Sequence, residues 1–72
     1  MNISNTMDEA EVLAFELEVL KREHRELDDA IRALEAEGGR DMLTIRRKKK
    51  EKLVLKDRIR LLEDRLLPDI IA

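Results

Sequence analysis

Six bases in seven positions, Arg46-Arg47-Lys48-Lys49-Lys50-Glu51-Lys52, offer the clearest chemistry in this chain of 72 residues. Clustered Lys and Arg bind nucleic acid by displacing the counterions condensed on its phosphates. On that reading Arg46, Arg47, Lys49, Lys50 and Lys52 are the contacts. Three features weigh against it. The chain carries a net charge of −2, a helix would scatter the run around its whole circumference, and without Tyr or Trp there is no stacking platform for bases. A charge run on a helix more commonly pairs with acids on a neighbouring element. Glu23, Glu26, Asp28, Asp29 and Glu35 are the acids for that role, and pairing with them is the preferred expectation. Any nucleic-acid binding that survives would be nonspecific and strongly salt-dependent.

His24 is the only histidine. A lone imidazole can act as a pH switch, or supply half of a metal site with a symmetry mate. One imidazole beside Glu23 is not a ligand set, because structural zinc normally takes four ligands. The preferred expectation is a polar residue that fixes register and oligomer state, as a buried Asn does in a coiled coil.

Catalysis finds little support. The hydroxyls are Ser4, Thr6 and Thr44, none of them near His24 in the helical map below. The many carboxylates fall on exposed helix faces, where nothing raises a pKa or excludes water. Gly38-Gly39 lacks the Lys-Ser/Thr that follows a phosphate-binding loop. We therefore expect a protein that is not an enzyme, with no cofactor and no metal. Asn2-Ile3-Ser4 matches a glycosylation sequon, but the acidic N-terminal segment does not look like an export signal, so the match is expected to be chance.

The elements that carry these residues follow from composition and spacing. With 43% hydrophobic and 44% charged residues, two glycines and one proline, the chain is neither disordered by composition nor rich enough in turns for an all-β fold. The absence of cysteine excludes a disulfide scaffold and fits a reducing cytoplasm. No apolar stretch approaches the length of a membrane span, and the basic segment lacks an apolar face rich in Trp or Phe, so no membrane partner is expected.

Leu13, Leu17, Leu20, His24, Leu27, Ile31 and Leu34 follow one another at alternating steps of four and three, a heptad seam with Ala10, Leu17, His24 and Ile31 at a. Thr6-Met7-Asp8-Glu9 fits a capping box at the start of this helix, and Gly38-Gly39 fits its stop. Asp41 is a plausible cap for a second helix that Pro68 ends. The second seam is Ile45, Lys48, Lys52, Leu55, Ile59, Leu62 and Leu66. Folding back at the glycines sets Leu34 opposite Ile45, His24 opposite Leu55, Leu20 opposite Ile59, Leu17 opposite Leu62 and Leu13 opposite Leu66. The expected fold is all-α: one antiparallel helical hairpin over 1–72 with a coiled-coil-like seam, comprising helix 7–37, turn 38–41, helix 42–67 and an apolar tail 68–72.

Charge divides along the same line. From Met7 to Glu37 there are eleven acids and four bases, and from Arg40 to Leu67 eleven bases and five acids, so each half is the other's first partner. One seam buries one stripe per helix. Val12, Phe15 and Val19 form a second stripe on the first helix, and Val54 and Leu61 on the second, with Leu53 and Leu67 nearby. Such a surface on so small a chain predicts a homo-oligomeric bundle, with a dimer favoured, and Phe15 is its expected anchor. Ile70 and Ile71 in the tail are expected to cover the open end of the bundle; a docking peptide is the alternative.

Lys21-Arg22-Glu23-His24-Arg25-Glu26-Leu27-Asp28 resembles the first-helix signature of the YdcH-like family, small bacterial proteins of unknown function. Lys49-Lys50-Glu51-Lys52-Leu53 followed by Leu55-Lys56-Asp57 resembles that of its second helix, and Leu67-Pro68-Asp69-Ile70-Ile71-Ala72 looks like the tail of alphaproteobacterial members. The resemblance implies a helical hairpin in the bacterial cytoplasm and no established activity. Lys48 departs from it, standing where the family pattern and the heptad both want an apolar residue. The function expected is a noncatalytic interaction module or adaptor, self-associating through its second apolar face and open to an unknown protein partner; a nucleic-acid-associated accessory role through 46–52 is the alternative.

Overall fold

The computed structural model describes residues 8–66, which form two helices, α1 (Glu9–Ala36) and α2 (Met42–Leu66), packed against each other as an antiparallel hairpin. The described residues contain no strand. Thr6, Ser4, the Asn2 sequon, Leu67 and the tail 68–72 lie outside them.

α1 begins two residues later than the Thr6–Glu9 box would place it. Its cap is Asp8, whose carboxylate accepts from the Glu11 backbone N–H at 2.8 Å, while Glu11 accepts from the Asp8 N–H at 3.1 Å. Two boxes overlap in this segment. The realised one puts a full negative charge, rather than a hydroxyl, at the positive end of the helix dipole.

The far end of α1 closes as a Schellman motif. The Gly39 N–H donates to Leu34 O at 3.2 Å and the Gly38 N–H to Glu35 O at 3.1 Å. Both glycines have positive φ, 104° at Gly38 and 62° at Gly39. A Cβ at either would meet nothing within 4 Å, so glycine is required by the backbone and not by crowding. Asp41 then caps α2, accepting from the Thr44 N–H at 3.1 Å. The hydrogen bonds from Thr44 hold its carboxyl below the usual range.

The heptad seam is the core. Leu17, Leu20, Ile31 and Ile45 are buried, and the other seam positions from Leu13 to Leu66 are half-buried; Ala10, at the open end, is exposed. α2 contributes only Ile45 to the buried set: Lys48 and Lys52 occupy the two seam positions that follow it, and Leu55, Ile59, Leu62 and Leu66 are half-buried because a two-helix seam covers each from one side only. Among the described residues three ion pairs cross between the helices: Lys21–Glu63 at 3.7 Å, Asp28–Lys52 at 2.8 Å and Glu35–Lys49 at 3.0 Å.

Candidate functional site: the open face of the hairpin

The two flanks of the seam differ. Lys21, Asp28 and Glu35 recur at seven-residue steps, which places them in one row along α1, and all three cross-helix ion pairs run along that row. Glu16, Glu23 and Ala30 form the equivalent row on the opposite flank. No ion pair among the described residues involves Glu16, Glu23 or Glu26, nor Arg47, Arg58 or Arg65 across from them. One flank is latched; the other is open.

The open flank is grooved. Toward the turn a groove of about 730 Å³ is lined by Leu27, Ala30, Val54 and Leu55, with Glu23 and Arg47 at its sides. Toward the open end a second groove, of about 540 Å³, is lined by Leu13, Leu20, Leu61 and Leu62, with Glu16 and Arg58. Arg47, Val54 and Leu61 recur at seven-residue steps, so the two grooves lie end to end on the same face.

The apolar residues expected at an association surface lie on or beside this face. Val12 is 47% exposed, Phe15 64%, Val54 56% and Leu61 56%, while Val19 is half-buried. Phe15 sits at the outer edge of the stripe, three residues after Val12. Met42 and Leu43, in the first turn of α2, are also well exposed, as is Leu53. The sequence reading passed over Met42 and Leu43; their position outside the seam of α2 was the signal that could have found them.

The basic run is split by the helix. Lys49 pairs with Glu35 and Lys52 with Asp28, two of the acids expected to meet it. Lys48 is half-buried in the seam and reaches the groove beside Leu55. Arg46, Arg47 and Lys50 are exposed and make no ion pair among the described residues. Of the acids proposed as their partners, Glu23 and Glu26 line the groove with Arg47 and Lys50 without bonding to them, and Asp29 is exposed.

Asp28 is the best-connected carboxylate. The hydrogen bond from Lys52 is the largest influence holding its carboxyl below the usual range; partial desolvation opposes this, and the charges of Arg32, Lys52 and His24 add to it. His24 is half-buried at its seam position, one helical turn before Asp28. Thr44, the one described hydroxyl, is tied through its backbone to the Asp41 cap. Among the described residues no group of three or more His, Asp or Glu side chains is placed to hold a metal ion, and no helix is long and apolar enough to cross a membrane.

Comparison with curated proteins and with solved structures gave no match. The family described as "Protein of unknown function (DUF465)" matches residues 17–63, a span that contains both charged helical signatures and the whole of the turn between them. With most of its two helices covered by that match, the chain belongs to the DUF465 family, of which YdcH is also a member.

Proposed function

We propose that this protein is a noncatalytic helical interaction module of the bacterial cytoplasm that self-associates, as a dimer, through the face bearing Val12, Phe15, Val19, Val54 and Leu61. The observation that carries the reading is the imbalance between core and surface. Four hydrophobic side chains are buried, while Val12, Phe15, Val54 and Leu61 each keep about half or more of their surface in water. Two copies would cover about ten partly exposed side chains, each worth roughly 1 kcal/mol for the surface still wet. Association costs about 4–15 kcal/mol. The two sums are comparable, which favours a reversible dimer over a permanent one. The cytoplasmic setting draws on the absence of cysteine and on the family resemblance.

Light scattering coupled to size exclusion tests this directly. The expected mass is twice the 8.5 kDa of one chain, falling to a single chain in Phe15→Glu. A wild-type chain that stays monomeric at high micromolar concentration ends the reading.

The second reading is an accessory protein on nucleic acid, favoured by Arg46, Arg47 and Lys50, which carry charge without a described partner. Absorbance at 260 nm in the same experiment separates the two. Without Trp or Tyr the chain itself absorbs almost nothing there, so a strong signal that high salt removes would be bound nucleic acid.

A further inference from the structure

The open face can meet a second copy of itself about a twofold axis in two ways. With the axis along the hairpin, α1 of each copy lies on α2 of the other and both turns sit at the same end. With the axis across the hairpin, α1 lies on α1, α2 lies on α2, and the turns sit at opposite ends. A closed dimer of identical faces requires one of these.

Charge separates them. On the open face α1 presents Glu16, Glu23 and Glu26, and α2 presents Arg47, Lys50, Arg58 and Arg65, with Glu51 and Asp64 the two acids among them, so that face of α2 stays net basic. Stacking α1 on α1 sets acid against acid and, on the other side, arginine against arginine, and like-charge juxtaposition at an interface is costly. Stacking α1 on α2 sets acids against arginines along both sides. The apolar residues agree. Val12, Phe15 and Val19 are near the open end of α1 and Leu61 is near the open end of α2. Only turns at the same end bring these two groups together; the other arrangement sets Phe15 over the turn-proximal half of α1, where the outward positions carry Asp29 and Ala33.

We infer that two copies of this chain pack open face to open face as a four-helix bundle, with α1 of each on α2 of the other and both glycine turns at the same end. The inference rests on the self-association proposed above and adds the arrangement and the contacts that select it. The flank carrying the three cross-helix ion pairs then faces solvent, where exposed ion pairs belong, and the flank whose charges make no ion pair among the described residues supplies partners to its copy.

The chain has no cysteine, so a single Arg40→Cys in the turn accepts one spin label. Neighbouring bundle helices lie about 8–10 Å apart, so the expected label-to-label distance within the dimer is under about 25 Å. Turns at opposite ends would give about 40 Å, the length of α1 at about 1.5 Å per residue. A long distance in a dimeric protein overturns the arrangement and leaves self-association standing; a monomeric protein overturns both. As an independent readout, Glu16/Glu23/Glu26→Lys and Arg47/Arg58/Arg65→Glu should each be monomeric and helical, and an equal mixture should regain the mass of two chains. Two reversed variants that each dimerise like wild type, or a mixture that stays monomeric, would also overturn the inference.

Discussion

Asp28 and Lys52 face each other across the hairpin, the lysine ammonium donating to the carboxylate at 2.8 Å while Arg32, one turn along α1, reaches the same group at 3.2 Å. Both Asp28 and Lys52 are only about one-third exposed, with side-chain accessibilities of 28% and 30%, so this is the least screened of the cross-helix pairs. Lys52 stands at a seam position where a coiled coil would place an apolar residue. The carboxylate is what makes a lysine tolerable there.

That pair sets an acid limit to stability. A carboxyl whose pKa is lowered by folding stabilises the native state above its unfolded pKa, about 3.9, and loses that contribution as pH falls through the lowered value. Asp41 acts in the same direction. Melting temperature should therefore be insensitive to these groups from neutral pH down to about 5 and fall below about 4. Asp28→Asn should lower the melting temperature at pH 7 and flatten the acid limb; thermal denaturation followed by circular dichroism across this range is the check, and an unaltered acid limb would count against the pair.

Lys48 presents the contrasting case. It too occupies the seam, half-buried beside Leu55 on the open flank, but it makes no ion pair among the described residues. Lys48→Leu should stabilise by about 1 kcal/mol through added apolar burial. For a chain of this size that raises the melting temperature by about 5 °C. A lower value would mean that the lysine stem already packs better than a leucine can.

The two glycines should not be equally replaceable. Gly39 at φ 62° lies in the left-handed region that other residues enter at a cost of about 1–2 kcal/mol, whereas Gly38 at φ 104° lies outside it. Gly39→Ala should lower the melting temperature by about 5–10 °C. Gly38→Ala should lower it further. Equal effects would show that the turn re-forms around the substitution.

Neutralising the exposed part of the basic run tests the second functional reading. Arg46, Arg47 and Lys50 to Gln should leave helicity almost unchanged, since none makes an ion pair among the described residues. Any retention of nucleic acid should disappear with them. Lys49→Gln and Lys52→Gln should instead show their effect as a loss of stability, because each meets a carboxylate of α1.

The hairpin was legible in the order of the residues alone. A heptad seam is a local periodicity, and the steps from Leu13 to Leu34 and from Ile45 to Leu66 are legible without any knowledge of what packs against them. Gly38-Gly39 and Asp41 were equally legible, since a left-handed C-cap and a carboxylate N-cap depend on the residue and its immediate neighbours. The choice between overlapping capping boxes was not, because Thr6 and Asp8 are both competent caps close in energy, and the chain realised the one at Asp8. Which acids meet which bases depends on how the two helices pack. Asp28 and Glu35 capture Lys52 and Lys49 because they share a flank of the seam with them, while Glu23 and Arg47 share a groove without bonding. The split of one charged composition into a latched flank and an open one is a property of two helices together. Each helix carries its rows of charge from the outset, but which row faces which is set only when the seam closes.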